Sequence, residues 1–220
     1  MSAEGTSWTR HEWVGSAQEF HELDLPVGRG VWSCVVESPS IILGSTQLAS
    51  DVDESIAQSL GLSVAKRHSG GGAVFVHPTD SIWIDITIGR DDPLWVDDVS
   101  ASMLWAGEAF VRALSPWVNG SVYTGAFESG HDGRTVCFAS TSPGEVFVDG
   151  HKLVGISQRR GRNGARLQCV LYRQWNPQLW VPALVDADVR QRTSDMSVAT
   201  INVSANEVIA ALMAELATLA

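Results

Sequence analysis

Residues 82–88 place isoleucine at every second position, Ile82, Ile84, Ile86 and Ile88, with Trp83, Asp85 and Thr87 between them. Successive side chains of a strand point to opposite faces, so a strict period of two predicts an extended segment with one face in the core and a partly polar face opposite. Shorter strand-like runs surround it: Ile41-Ile42-Leu43 ending at Gly44, Ser63-Val64-Ala65, Ala73 to Val76, and Leu167 to Arg173. Glu145-Val146-Phe147-Val148 and Lys152-Leu153-Val154-Gly155 flank Asp149-Gly150, a dipeptide that fits the tight turn of a hairpin. Helical spacing runs from Asp98 to Leu114 (Val99, Met103, Ala106, Phe110, Leu114) until Ser115-Pro116 stops it. Asp51 to Leu60 reads as a second helix, with Asp51 as cap, Glu54 three residues on and Gly61 at its end; Ser204 and Glu207 form a capping box before a third, about 204–218. The first thirty residues and 186–200 carry no periodicity and read as irregular, and 119–136 reads as loop around a short strand. No internal repeat or linker divides the chain. The expectation is one α+β domain over 1–220, with a mixed, mostly antiparallel sheet flanked by helices.

Composition narrows what such a domain does. With 45% hydrophobic residues, nine Trp and six Phe in 220 residues, a substantial core is available. A net charge of −10 argues against non-specific nucleic-acid binding, which needs Lys and Arg on phosphates. Seven of the fifteen basic residues nevertheless lie between Arg134 and Arg173, and the only lysines are Lys66 and Lys152. Cys34, Cys137 and Cys169 include no Cys-x-x-Cys pair, so no metal site or disulfide framework is expected, and a reducing compartment fits. Met1 to Phe20 lacks a signal-peptide pattern, and no apolar run has the length of a bilayer span, so a cytoplasmic location is expected and no membrane partner.

Three constellations have chemical potential. Arg67-His68-Ser69-Gly70-Gly71-Gly72 lies between strand-like runs; it is either a tight turn or a cradle whose backbone N–H groups hold an anion. It is neither a Walker A loop, since no Gly-Lys-Ser/Thr follows, nor a Rossmann loop, since a strand follows. Lys152 on a hairpin strand is either an edge-strand lysine or a cation aimed at a carbonyl or phosphate. Cys137 is either an inert buried thiol or a nucleophile, if Arg134 and Lys152 approach it in space.

Together these segments resemble the lipoate side of the biotin/lipoate protein ligase superfamily, the lipoate-protein ligases and octanoyltransferases. Arg67-His68-Ser69-Gly70-Gly71-Gly72-Ala73-Val74 is similar to that family's Arg-Arg-x-Ser-Gly-Gly-Gly-Ala-Val loop. Asp149-Gly150-His151-Lys152-Leu153-Val154-Gly155 is similar to its Gly-x-Lys-x-x-Gly hairpin, and Ile41 to Gln47 to its first strand and turn. The resemblance covers roughly residues 30 to 175. It implies a biotin/lipoate ligase-like fold, acyl and nucleotide binding by Arg67 to Val74 and by Gly155, Ser157 and Gln158, and Lys152 as the catalytic cation. It also implies ATP with Mg²⁺, lipoate or octanoate as substrate, and a lipoyl carrier domain of the 2-oxoacid dehydrogenase E2 or glycine cleavage H type as acceptor. Val136-Cys137-Phe138, Glu145, Lys152, Gln158 and Leu167-Gln168 resemble instead the cysteine-dependent octanoyltransferases. Those use no ATP and take octanoyl from an acyl carrier protein. The chain departs from the family at His68, where a second arginine is usual, at Val76-His77, where His is shifted by one, at Ile156, and at Cys169-Val170, where His-Gly is usual. Only one helix follows residue 203, so a separate accessory protein is a further expected partner.

The first functional reading is an ATP-dependent lipoate/octanoate-protein ligase acting through an acyl-adenylate. The second is an ATP-independent octanoyltransferase with Cys137 as acyl-thioester nucleophile. The third is a non-catalytic acyl or cofactor-binding module. In all three, Lys152→Ala is expected to remove function and leave the fold intact.

Overall fold

The computed structural model describes residues 7–219. The first six residues of the polar start, on which the signal-peptide reading partly rests, lie outside them. Among the described residues, ten strands form two sheets. The strands are β1 (Thr9–Gly15), β2 (Gly30–Val36), β3 (Ser40–Leu43), β4 (Ser63–Lys66), β5 (Val74–Val76), β6 (Ser81–Gly89), β7 (Ser121–Val122), β8 (Val146–Val148), β9 (His151–Arg160) and β10 (Gly164–Tyr172). Seven make one sheet in the order β1-β2-β6-β10-β9-β8-β7, in which only β1–β2 is parallel. The other three make a small sheet, β4-β3-β5, with β3–β4 parallel and β3–β5 antiparallel. This is the mixed, mostly antiparallel α+β architecture expected from the sequence.

The isoleucines of β6 face one core. They pack with Leu153, Leu167 and Leu171 against two antiparallel-sheet-covering helices, α3 (Leu104–Leu114) and α5 (Ala205–Leu216), through Phe110, Leu114, Ile209 and Leu212. The opposite face of β6 is not the half-polar surface that alternation predicts: Trp83, Asp85 and Thr87 are buried as well. The small sheet covers that face, contributing Ile42, Ala65, Val74 and Val76 to a second core with Phe20, Trp83 and Val170. The buried charge of Asp85 is tolerated because it is paired: Arg166 donates to it, and Trp83 Nε1 donates at 2.6 Å. Burial raises the Asp85 carboxyl while Arg166 opposes the rise. Part of the basic cluster in the sequence is therefore internal.

Helix boundaries correct several expectations. Residues 9–22, read as irregular, are regular structure. They hold β1 and α1 (Ala17–Glu22), whose Ser16–Glu19 capping box is the same device that starts α5 at Ser204 and Glu207. Arg166 ties α1 to the large sheet, donating to Phe20 O at 3.2 Å with its guanidinium 4.3 Å from the Phe20 ring centroid. The second helix, α2 (Glu54–Ser59), is capped by Asp53 rather than Asp51, because the Asp53 carboxylate accepts from both Ser55 N and Ile56 N. The helix expected from Asp98, α3, begins at Leu104; Asp98 Oδ1 accepts from Ser100 N in a local turn that replaces the first helical turns. Residues 187–195, read as irregular, form α4 (Ala187–Asp195), a polar helix that buries only Val189 and Thr193. Asp149 and Gly150 both take positive φ, 50° and 80°, as the two-residue hairpin turn between β8 and β9 requires. No helix among the described residues is long and apolar enough to cross a membrane.

Candidate active site

The glycine loop joins β4 to β5, so it leaves the edge strand of the small sheet and re-enters on the other side of β3. Arg67 at its start is buried and fixes its shape from within. Its Nη1 donates to Ile42 O at 3.1 Å, and its Nη2 donates to Gly70 O and Gly72 O, both at 2.8 Å. Burial pulls the Arg67 guanidinium below its ordinary value, and Cys137 opposes that pull. Arg67 is thus committed to main-chain carbonyls and is not displayed to solvent phosphates. Its Nε has no hydrogen-bond partner.

The loop exit and the Cys137 segment are stitched together. Ala73 N donates to Thr135 O at 2.8 Å and Cys137 N donates to Ala73 O at 2.9 Å. Such close approach needs glycine beside it. A Cβ on Gly72 would lie 2.6 Å from Val136 N and 2.8 Å from Gly133 O, both backbone atoms. Gly72→Ala is accordingly expected to cost about 1–3 kcal/mol, the usual range for overpacking, and to lower any activity that depends on the position of Cys137. Urea unfolding alongside an activity assay checks this, and a fully stable, fully active variant would contradict it.

Between the two sheets lies a narrow, partly open cleft: about 350 Å³ counted out into the solvent at its mouth, of which only about 20 Å³ admits the centre of a water molecule. Arg67 and Val74 from the loop and β5, Cys137 and Phe138, Gly155 and Ser157 from β9, and Gln168 and Val170 from β10 line it, together with Ile42, Trp83 and His21. Gly155, Val170 and Trp83 are cross-strand neighbours on β9, β10 and β6, so they form a row across the cavity floor. Two strand spacings make that row about 10 Å long. Phe138 closes the Gly155 end, since a Cβ there would meet its ring at 3.1 Å. His21 covers the Trp83 end, with ring centroids 5.0 Å apart.

A chain of hydrogen bonds runs along the polar wall. Ser69 Oγ donates to Gln168 Oε1 at 2.6 Å and lies 3.0 Å from Ser157 Oγ, while Gln168 Nε2 lies 3.0 Å from His21 Nδ1. Burial, then Arg166, Arg67 and His68, push the His21 imidazole down to about 3, so it is neutral at ordinary pH.

Lys152 is close by but turned differently. It is buried, paired with Glu145 at 2.8 Å, donates to Cys137 O at 3.0 Å, and stands 5.4 Å from the Phe138 ring centroid. Glu145 also accepts from Ser142 N at 2.8 Å; burial raises its carboxyl and Lys152 opposes the rise. Lys152 is not in the wall of the cavity. It borders a groove on the far side of Phe138, with Asp132, Ser140, His151 and Ser197.

Of the residues singled out in the sequence, the fold brings Arg67, Val74, Cys137, Gly155 and Ser157 to one cavity, with Ser69 bonded into its wall and Gly72 and Ala73 buried behind it. Gly70, Gly71 and His68 are exposed. Gln158 is not brought there: it lies on the other face of β9, where its Oε1 accepts from Ser102 Oγ at 2.9 Å. His77 is likewise elsewhere, in the turn before β6, bonded to Ser81. Sequence reasoning missed His21, Trp83 and Val170. The Ser16–Glu19 capping box signals the helix that carries His21, but nothing local signals that the helix faces the cavity.

Residues 25–217 match the Lipoyl protein ligase A/B catalytic domain family, and the chain belongs to that family. The match spans the loop, the Cys137 segment and the hairpin alike. No curated protein matches the chain in sequence. Three solved structures share the fold. An archaeal bipartite lipoate protein ligase from Thermoplasma acidophilum, described with its E2 lipoyl domain, is 17% identical with a TM-score of 0.69, covering 95% of this chain and 82% of that one. Lipoate-protein ligase A bound with ATP is 16% identical with a TM-score of 0.70, covering 95% and 83%. The T. acidophilum protein Ta0514 with bound lipoic acid is 16% identical with a TM-score of 0.67, covering 94% and 83%.

Proposed function

We propose that this protein is an acyltransferase of the lipoyl ligase family that carries a medium-chain acyl group on Cys137 and delivers it to the lysine of a lipoyl carrier domain. One observation carries the choice between the two enzymatic readings. Cys137 is in the cavity wall beside the glycine loop, whereas the two cations an adenylating enzyme needs are already engaged, Lys152 by Glu145 and Arg67 by three carbonyls. Attack of a carboxylate on an α-phosphate needs clustered positive charge free to offset repulsion. The residues present do not supply it in this arrangement.

In the reaction the Cys137 thiolate attacks the carbonyl of an acyl thioester on an acyl carrier protein. The tetrahedral intermediate expels the carrier's thiolate, which takes up the proton lost by Cys137, and leaves an acyl-Cys137 thioester. The lysine amine of an E2-type or H-protein-type lipoyl domain then attacks that thioester, forming the amide and returning the thiol. Arg67 Nε–H, unpartnered on a side chain that lines the same cavity as Cys137, is the donor suited to the developing oxyanion. Lys152 acts through the main chain, holding the Cys137 carbonyl and hence the direction of its side chain.

The second reading, an ATP-dependent lipoate ligase that takes free lipoate and possesses or recruits an accessory partner, is favoured by the likeness to the ATP-bound and lipoic-acid-bound ligases. Intact-mass measurement separates the two. Incubation with octanoyl acyl carrier protein is expected to give an acyl adduct that Cys137→Ser abolishes. No adduct, with lipoate-driven ATP–pyrophosphate exchange, would make the protein a ligase. Binding without transfer to any lipoyl domain would leave a non-catalytic acyl-binding module.

A further inference from the structure

Two of the buried polar atoms without a partner belong to residues of the cavity wall: Arg67 Nε, near Cys137, and His21 Nε2, at the opposite end over Trp83. The second has no role in the chemistry above. His21 is 2% exposed, and its neighbours at that end, Trp83 and Val170, present only carbon; the Trp83 Nε1–H is already given to Asp85.

The hydrogen-bond chain fixes which proton His21 carries. An amide nitrogen only donates, so Gln168 Nε2 must donate to His21 Nδ1, leaving the ring proton on Nε2. The orientation of the Gln168 amide is set independently, because Gln168 also hydrogen-bonds the Asp85 carboxylate, which only accepts, so the amide turns its nitrogen to Asp85 and His21 and its oxygen to the Ser69 hydroxyl. Having donated there, Ser69 Oγ is left to accept from Ser157. Every donor in the series Ser157, Ser69, Gln168, His21 therefore points the same way, and the series ends on an N–H with no acceptor. Neutrality of the imidazole keeps Nδ1 an acceptor and this direction fixed.

We propose that His21 is the specificity-determining residue of the cavity, and that its Nε2–H selects a medium-chain acyl group carrying a hydrogen-bond acceptor at its distal end over a plain alkyl chain. The proposal rests on the acyl-transfer reading, which puts the carbonyl at Cys137. The floor from Gly155 to Trp83, about 10 Å, then carries an extended medium chain to His21. A saturated terminus would cover the N–H and leave it unsatisfied; an oxygen or a dithiolane sulfur would complete the series. The difference between satisfying and stranding a buried donor corresponds to roughly five- to a hundred-fold in affinity.

Octanoic, lipoic and 7-oxooctanoic acids are the probes, titrated calorimetrically into the unaltered protein, and the three pantetheine thioesters are titrated into Cys137→Ser, which cannot be acylated there. Wild-type protein is expected to bind the lipoyl and 7-oxooctanoyl forms at least about five-fold more tightly than the octanoyl form. That ratio should fall toward one in His21→Phe and recover in His21→Gln, which keeps an acceptor for Gln168 and a donor for the ligand. In the unaltered protein the His21 Nε2–H proton resonance should move downfield with 7-oxooctanoate and not with octanoate, which decides the matter even if His21→Phe does not fold. Equal or tighter octanoyl binding by the wild type, a ratio that survives in folded His21→Phe, or an unmoved resonance would overturn the proposal. Failure of all three acyl groups to bind in either form would instead overturn the acyl-transfer reading beneath it.

Discussion

Lys152→Ala is expected to lower stability by about 3–5 kcal/mol as well as removing acyl transfer, which departs from the sequence-based expectation of an intact fold. The reason is Glu145. Both members of the pair are buried, and the carboxylate is aimed at the ammonium at 2.8 Å. Removing the lysine strands that charge with only the Ser142 N–H and neighbouring backbone to hold it, and an uncompensated buried charge costs more than the pair ever contributed. Lys152 Nζ also anchors the carbonyl of Cys137, so the variant frees the segment that carries the proposed nucleophile. The double variant Glu145→Leu/Lys152→Met separates the two effects. Replacing a buried pair by apolar residues of similar size is often neutral or stabilising, so stability should return while transfer does not. Denaturant midpoints and transfer rates for wild type, single and double variants make the comparison. A single variant as stable as wild type would show that the pair is not buried as described, and transfer restored in the double variant would remove Lys152 from the positioning of Cys137.

What was legible in the sequence is what short-range physics controls. The period of β6, the Asp-Gly turn before Lys152 and the capping box of α5 are each determined within a few residues, and each is present. The box at Ser16 was equally present but introduces a helix of six residues, too short to show an apolar stripe, and α4 shows almost none because two buried positions suffice to seat it. Burial of Trp83 and Asp85 was not legible, because the sheet that covers them comes from elsewhere in the chain. The site divides the same way. Cys137, the glycine loop and the hairpin are contiguous signatures with a family resemblance. Gln168 belongs to them through the Leu167-Gln168 resemblance, but His21, Val170 and Trp83 meet it only through the register of β6, β10 and β9 and the seating of α1, which no local pattern encodes. Gln158 shows the converse. It is next to Ser157, and the period of two that places Ser157 in the cavity wall turns Gln158 to the other face.

Acidification from pH 7 to pH 5 is expected to destabilise the protein by about 2 kcal/mol through His21 alone. The imidazole is pushed from an ordinary 6.5 down to about 3 by burial, first of all, and by the facing charges of Arg166 on β10, Arg67 and His68. Between those two values the unfolded chain binds a proton that the folded chain refuses, so stability is whole above 6.5 and falls as pH falls, reaching a loss of about 4–5 kcal/mol near pH 3. The refusal has a structural cause. A proton on Nδ1 would confront the amide donor of Gln168, and that amide cannot rotate without turning its oxygen toward the Asp85 carboxylate it now hydrogen-bonds. His21→Gln lacks a titrating group there but keeps the acceptor, while every carboxylate and every other histidine is common to both proteins. Urea unfolding of the two at pH 7 and pH 5 should therefore show the wild type losing about 2 kcal/mol more than the variant over that step. Identical pH slopes would mean that the imidazole charges freely in the folded protein, and a charging imidazole cannot hold the one-way donor series on which the selectivity of the cavity depends.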